Sequence, residues 1–495
     1  MKTLAELGLT AQGRAEAQVT GLAVDSRAVR PGDLFAALPG AQAHGGTFIA
    51  TALQAGAVAI LTDAAGAALA ADALEHAEVA VIIAQDPRQA LAQTASLWFG
   101  PHPATVVAVT GTNGKTSVST FCRQIWEEMG IAGVNLGTTG VEGAWAHPLK
   151  HTTPEPITLH RVLAEAARNG VTHVAMEASS HGLDQRRLDG VLLAAGGFTN
   201  FTQDHLDYHQ TFDAYFQAKM GLFTRVLPEE GVAVINRDDP KGNQVAEICA
   251  ARGQEVIGVG RANGARLRLT GQRFDATGQD VLFTWQGTPR QVRLNLIGGF
   301  QADNALLAAG LVIAAGAVPA DVFDALPHLG TVRGRMELAA TRENGAAVFV
   351  DYAHTPDAVA TALQAMRPHV MGRIIVIVGA GGDRDTSKRP LMGAAAAQWA
   401  DVVIVTDDNP RSEDPSAIRA AVLAGAVDAG VTDSITEIGD RAEAILRGIH
   451  MLAPGDALLI AGKGHETGQI VGDSVLPFDD VEQASVAVAA LEGKI

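Results

Sequence analysis

Along the chain, short apolar runs rich in Val and Ile alternate with longer stretches in which apolar residues recur at helical spacing. Runs at 58–61, 79–83, 106–109, 171–176, 232–235, 347–350, 374–378, 402–406 and 457–460 are each bounded by polar or glycine-rich turns. Such runs predict strands buried on both faces, and the intervening helical periods predict crossovers, so the expected sheets are largely parallel. Near the start, residues 21–27 run from an apolar segment into a polar turn, Pro31-Gly32-Asp33 is a turn signal, 34–38 is a further strand and 40–46 a loop. Pro101-His102-Pro103 is a natural linker. Residues 135–140 and 151–154 read as loops, 198–202 as a strand, and 212–222 and 304–318 as helices. Between about 255 and 297 the pattern changes to strict alternation, as in Arg266-Leu267-Arg268-Leu269-Thr270, which predicts antiparallel hairpins added to the parallel sheet.

Composition adjusts this picture only at the margins. A chain of 495 residues exceeds one core and predicts about three domains. The net charge of −17 argues against a general nucleic-acid or membrane-surface binder, so any anion must be held by local glycine turns, Lys, Arg and Mg²⁺. Two cysteines, Cys122 and Cys249, supply neither a disulfide framework nor a thiolate metal site. Residues 1–12 lack the basic start and apolar run of a signal peptide, and no apolar stretch reaches the length of a membrane span, so a reduced, cytoplasmic setting is expected.

The strongest chemistry lies in the stretch 104–130. A β-branched strand runs into Thr110-Gly111-Thr112-Asn113-Gly114-Lys115-Thr116-Ser117 and then into a helix that stops at Gly130. Strand, glycine turn and helix N-terminus together make a phosphate cradle. The turn's N–H groups and the positive end of the helix dipole face the anion, Lys115 can reach the β- and γ-phosphates, and the Thr116 hydroxyl can take Mg²⁺. The full P-loop pattern would place a glycine where Val109 stands, so this is a shortened variant.

Other constellations cluster at predicted strand ends, where ligands of open α/β sheets bind. Glu177 ends the 171–176 run beside the phosphate turn and is placed for Mg²⁺ or is a satisfied strand-end carboxylate. Gln203-Asp204-His205-Leu206-Asp207-Tyr208-His209 is dense in ligand-competent residues, and the following helix carries Lys219. Asp25-Ser26-Arg27 is either a turn closed by its own side chains or a contact to a polar ligand. Late in the chain come Asp351-Tyr352-Ala353-His354, the loop 379–389, Asp408-Asn409-Pro410-Arg411 and Gly462-Lys463-Gly464-His465-Glu466. The expected fold class is α/β in three domains. A small N-terminal α/β domain spans 1–100. A central P-loop ATPase-like domain, mostly parallel with antiparallel hairpins, spans 101–330. A Rossmann-like C-terminal domain spans 331–495.

Taken together these motifs resemble the Mur ligases, ATP-dependent amide-forming enzymes of peptidoglycan precursor synthesis, and the resemblance covers essentially the whole chain. It rests on TGTNGKTS (110–117), EASSHGL (177–183), TNFTQDHLDYH (199–209), Ala218-Lys219, DYAHTPD (351–357) and GKGHE (462–466). DNPR at 408–411 resembles the signature of members that add meso-diaminopimelate, rather than lysine or ornithine, to UDP-MurNAc-L-Ala-D-Glu. The resemblance implies ATP contacts from Gly111, Thr112, Asn113, Gly114, Lys115, Thr116 and Ser117, and from Asn304, Arg335, Asp351 and His354. It implies Mg²⁺ contacts from Thr116, Glu177, His205 and a CO₂-derived carbamate on Lys219, with Lys115, Lys219, His205 and Glu177 catalytic. It assigns Val24, Ser26, Ala41, Gln42, Ala43, Thr152, Thr153, Ser179, Gln185 and Arg187 to UDP-MurNAc-dipeptide, and Arg384, Asp408, Asn409, Pro410, Arg411, Gly462 and Glu466 to diaminopimelate. The implied partners are these small molecules alone, with no nucleic acid or membrane, and a monomer acting in the cytoplasm. The competing readings are a folylpolyglutamate synthase-like ligase, against which the separate N-terminal unit and DNPR count, and a nucleotide-binding switch without amide chemistry.

Overall fold

The computed structural model describes residues 1–40, 43–202, 206–430 and 434–494, and the chain divides into two compact units. The first comprises 1–265 with 307–322, the second 266–306 with 323–495.

Among the described residues, the first unit holds a two-stranded sheet, Lys2–Thr3 with Gln18–Val19, and two larger ones. In the N-terminal one, strands Gly21–Ala23, Asp33–Ala36, Ala59–Thr62 and Ala80–Ile83 pair in parallel, and Gln12–Gly13 closes the far edge antiparallel. Successive side chains leave opposite faces of a strand. Leu34, Ala36, Ala59 and Leu61 therefore enter one core, while Phe35, Ala37 and Ile60 enter another. That two-sided burial is why the runs read as continuous rather than alternating.

The second sheet of this unit has the order Gly140–Gly143, Gly133–Gly137, His173–Glu177, Thr105–Thr110, Ala195–Phe198, Val232–Asn236, Glu255–Gly260. All neighbours are parallel except the first pair. Thr105–Thr110 is flanked by His173–Glu177 on one side and Ala195–Phe198 on the other, so its C-terminal end is a topological switch point, where open α/β sheets bind ligands. Helix Lys115–Glu128 follows it, burying Val118, Phe121, Cys122, Ile125 and Trp126 at i, i+3, i+4, i+7 and i+8.

Two elements differ from expectation. Residues 135–140, read as a loop, hold the end of strand Gly133–Gly137, a turn at 138–139 and the start of its hairpin partner Gly140–Gly143. Glycine and asparagine hide this strand in the sequence, yet each has a packing reason. A Cβ on Gly137 would lie 2.0 Å from Glu177 Oε1, and buried Asn135 accepts from Arg123 Nε at 2.8 Å. The strand read at 198–202 instead occupies Ala195–Phe198. Its Gly197 leaves room for Leu311, whose Cδ1 a Cβ would meet at 3.0 Å.

In the second unit, strands Leu267–Asp275, Gly278–Trp285 and Thr288–Leu294 form the antiparallel meander that the alternation foretold. A six-stranded sheet follows the order Glu337–Thr341, Ala347–Asp351, Ala457–Ala461, Ile374–Val378, Val402–Val405, Ile435–Glu437, parallel after its first pair. Its two faces bury separate cores, Val376, Val378 and Val403 on one and Ile375, Ile377 and Ile404 on the other. A hairpin, Gly468–Val471 with Ser474–Pro477, follows the last parallel strand. No helix among the described residues is long and apolar enough to cross a membrane.

Candidate active site

The phosphate turn forms as its sequence demands. Gly111 has φ 149° and Gly114 φ 84°, backbone positions that favour glycine, and Gly114 caps helix Lys115–Glu128 in the left-handed conformation. The turn is laced to the segment after the neighbouring strand. Asn113 N donates to Asn200 Oδ1 at 2.9 Å, Thr199 Oγ1 donates to Asn113 O at 2.6 Å, and Thr112 N donates to Asn200 O at 2.9 Å. Lys115 Nζ curls onto the turn, donating to Gly111 O at 2.9 Å and Thr112 O at 2.7 Å. Lys219, on helix Phe212–Gly221 and only 1% exposed, donates to the same Gly111 O at 2.7 Å and lies 4.4 Å from the Tyr215 ring centroid. Both candidate catalytic lysines therefore end at the phosphate cradle.

Glu177 ends strand His173–Glu177 one strand away, paired in register with Val109 and buried. Its carboxylate accepts from Thr138 N at 2.8 Å and Thr138 Oγ1 at 3.2 Å, and Thr138 Oγ1 lies 3.0 Å from Thr152 Oγ1. A continuous polar network leads on from there. Thr153 Oγ1 donates to Glu177 O at 2.9 Å and accepts from Ser179 N at 3.1 Å. Arg187 Nη1 donates to Thr153 O at 2.6 Å and Nη2 to Gln185 Oε1 at 2.8 Å. Gln185 Nε2 donates to Tyr208 OH, which donates to Asp184. The structure thus brings together Thr152, Thr153, Ser179, Gln185 and Arg187. It adds Thr138 and Tyr208, which sequence reasoning did not single out because a loop Thr and a Tyr carry no local signature.

Gln185 and Arg187 also line a cleft of about 250 Å³ that reaches Val24, Leu38 and Gly40 of the N-terminal sheet. Ser26 begins a short 3₁₀ turn whose flanking side chains close on each other. Asp25 Oδ1 accepts from Arg27 N and Nε, both at 2.9 Å, and these bonds pull the Asp25 carboxyl down to about 2. Ala43 is described and exposed, whereas Ala41, Gln42 and His205 lie outside the described residues.

In the second unit, the Asp408–Arg411 loop and the Gly462–Glu466 loop are knotted together. Asn409 Nδ2 donates to Glu466 Oε2 at 2.8 Å, and the fully buried Lys463 donates to Asn409 Oδ1 at 2.9 Å and lies 3.4 Å from Glu466 Oε2. Gly462, φ 115°, makes room for Asp408, whose Oδ2 a Cβ would meet at 2.4 Å. Arg411 sits at φ 51° and donates through Nη1 to Gly382 O at 2.7 Å. Pro410 is buried and Arg384 exposed. Beneath these loops a buried pair, Arg441 with Asp480 at 2.6 Å, ties down both strand ends, because Arg441 also donates to Ala461 O and Asp407 O. Sequence reasoning missed Arg441 and Asp480, and it named Lys463 within GKGHE without giving it a role.

At the end of strand Ala347–Asp351, Asp351 Oδ2 accepts from Met336 N at 2.6 Å, and burial raises its carboxyl to about 6 against the pull of Arg335. Arg335 stacks 4.7 Å from the Tyr352 ring centroid, and His354 Nδ1 lies 2.8 Å from Tyr352 O. Arg335, Asp351 and His354 thus form one group. Asn304 lies on helix Phe300–Ala314, its amide donating to Gln301 Oε1 at 3.2 Å.

A phosphate cradle at the switch point of one parallel sheet, with a second strand-end pocket on a Rossmann-like sheet, is the equipment of an ATP-dependent amide-forming ligase. Family profiles match along the chain: "Mur ligase family, catalytic domain" at 18–98, "Mur ligase middle domain" at 109–312 and "Mur ligase, glutamate ligase domain" at 334–464. The chain belongs to the Mur ligase family. It is 52% identical over 477 residues to UDP-N-acetylmuramoyl-L-alanyl-D-glutamate–2,6-diaminopimelate ligase of Bradyrhizobium diazoefficiens, covering 96% of this chain and 95% of that one. It is 49% identical over 475 residues to the protein of the same name from a Chelativorans strain, covering 96% and 95%. Among solved structures, a ligase of this name superposes with TM-score 0.71 at 31% identity over 99% of each chain.

Proposed function

We propose that this ligase joins meso-2,6-diaminopimelate to the D-Glu γ-carboxylate of UDP-MurNAc-L-Ala-D-Glu, with ATP activating the carboxylate as an acyl phosphate, in the synthesis of peptidoglycan precursors. Residues 1–100 serve as the nucleotide-sugar domain, 101–330 as the ATP domain and 331–495 as the amino-acid domain, in a monomer acting in the cytoplasm. The observation that carries the choice of amino acid is the loop knot of Asn409, Lys463 and Glu466 beside Arg411.

A carboxylate is a poor acyl donor because oxide would have to leave; phosphorylation replaces oxide by phosphate. Carboxylate and γ-phosphate are both anions, so catalysis is mostly charge neutralisation and alignment. The turn N–H groups, the dipole of helix Lys115–Glu128 and the Lys115 ammonium supply positive potential where the γ-phosphate is held. To meet the phosphate, Lys115 exchanges its bonds to Gly111 O and Thr112 O for phosphate oxygens. Thr152, Thr153, Ser179, Gln185 and Arg187 hold the muramoyl-dipeptide so that its carboxylate faces the phosphorus. The neutral amine then attacks the acyl carbon, and the tetrahedral adduct expels phosphate.

Among the described residues no three His, Cys, Asp or Glu side chains gather into a metal cage. Thr116, Glu177, His205 and a carbamate on Lys219 would hold Mg²⁺, which when bound offsets phosphate charge. The chemistry of the donors agrees: a hydroxyl in the first turn of helix Lys115–Glu128, a carboxylate at the end of the adjacent strand, and a buried amine that reaches the turn itself.

Diaminopimelate carries a second carboxylate where lysine has none. Arg411 can grip it bidentately with Arg384 as a second cation, Asp408 and Glu466 accept from the distal ammonium, and Asn409, Pro410 and Gly462 shape the pocket. Lysine would leave the Arg411 charge without its carboxylate, a loss of about 2–5 kcal/mol. Turnover with diaminopimelate, lysine and ornithine in parallel tests this reading. Diaminopimelate should be preferred by about thirtyfold or more, the factor that the lower end of that energy gives; equal rates would reject it.

A further inference from the structure

The cleft of the first unit contains a cation that the substrate assignments leave out. Arg88 stands in the first turn of helix Pro87–Phe99 and lines the cleft with Val24, Gly40, Glu155, Gln185 and Arg187. Its guanidinium donates to the Pro39 carbonyl, which steers it along the loop on the Val24 side. The acids nearby are spent. Asp86, which caps the same helix, accepts from Gln89 N at 3.0 Å and pairs with Arg186 at 2.7 Å. Glu155 caps helix Pro156–Arg168, accepting from Ile157 N at 2.8 Å and Thr158 N at 2.7 Å. Two guanidiniums therefore share one small cleft with a single carboxylate, Glu155, that is turned onto its own helix N-terminus. The mutual effect is visible on Arg187, which burial first, and Arg88 in addition, hold below the usual guanidinium range while Tyr208 and Glu155 partly offset them. Like charges held at close quarters are relieved by an anion with several oxygens, and an arginine fork suits phosphate.

We infer that Arg88 is a further substrate-binding residue, gripping the diphosphate of the uridine-nucleotide sugar at the Val24 side of the cleft while Arg187 serves the muramoyl-dipeptide side. The inference rests on the substrate reading above. Phosphate oxygens meet Arg88 without any covalent change, so the effect falls on substrate affinity and leaves the chemical step alone.

Steady-state kinetics and competition test it in the full-length enzyme. Arg88→Ala should raise KM for UDP-MurNAc-L-Ala-D-Glu on the order of ten- to a hundredfold, the loss expected of a charge-assisted hydrogen bond. KM for ATP and diaminopimelate should stay within about twofold, the scatter of ordinary surface changes. Arg88→Lys, which keeps the charge without the fork, should fall between. UDP should compete better than uridine against the parent enzyme, and Arg88→Ala should erase that difference. An unchanged KM in both variants would overturn the assignment. So would equal weakening of UDP and uridine, which marks a structural role, or loss of affinity for the uridine-free muramoyl-dipeptide instead, which places the anion at the other end. If the parent enzyme fails to use UDP-MurNAc-L-Ala-D-Glu at all, the substrate reading itself falls, an outcome distinct from all of these.

Discussion

Lys115 and Lys219 donate to one carbonyl oxygen, that of Gly111, and this residue has no room for a side chain. A Cβ there would stand 1.8 Å from Thr199 Oγ1 and 3.0 Å from Asn200 N, at a φ of 149°. Gly111→Ala should therefore raise KM for ATP at least tenfold and lower Tm, since Thr199 can rotate but the backbone of Asn200 cannot; ATP titration and a melting curve check both. In the second unit, Arg411→Ala should raise KM for diaminopimelate far more than for ATP, and equal loss for both would remove Arg411 from the amino-acid pocket. Arg441→Met strands the Asp480 carboxylate, fully buried as its partner is, without a counter-charge, and unfolding in urea should show a loss of about 3–5 kcal/mol. At this scale the sequence was legible wherever chemistry and glycine geometry coincide, as at Gly111–Lys115 and Gly462–Glu466. Arg88, Thr138 and Arg441 were not legible, because their importance comes from neighbours distant in sequence: Pro39, Glu177 and Asp480.

Elements were read well where both faces of a strand are buried by Val and Ile. Ile374–Val378 was foreseen residue for residue because every position packs on a core. Gly133–Gly137 and Ala195–Phe198 escaped because tertiary packing selects small residues there against strand propensity. Another element-level feature joins the linker to a helix. His102, in the linker, stacks on His160 of helix Pro156–Arg168 with ring centroids 4.9 Å apart and a nitrogen separation of 3.1 Å. His160 also reaches Asp189 O at 3.2 Å, and burial followed by the charge of His102 pushes it down to about 3. Asp189, whose carbonyl His160 meets, is itself already paired with Arg225. A histidine whose folded pKa lies below its ordinary 6.5 adds stability above that pH and loses it as pH falls from 6.5 toward about 3, since the unfolded chain takes the proton first. His160→Phe should flatten that part of the stability-against-pH curve relative to the parent, as measured by urea unfolding at pH 7 and pH 5.

At the scale of the whole molecule, an acidic chain of net charge −17 is assigned three anion-bearing substrates. The cationic groups proposed to receive them are local: Lys115 at a helix N-terminus, Arg88 and Arg187 in the cleft, Arg411 at a strand end. Composition could not locate these groups; motif spacing located the first and last of them, and only the folded chain brought Arg88 to Arg187. The central claim is that ATP is spent to link one particular acid to one particular amine. ADP release measured with each substrate withheld in turn tests it most directly. ADP should accumulate at full rate only with UDP-MurNAc-L-Ala-D-Glu and meso-diaminopimelate both present, and replacing diaminopimelate by lysine should all but abolish it. Sustained ADP release that ignores the amino acid, or that proceeds equally with lysine, would contradict the account.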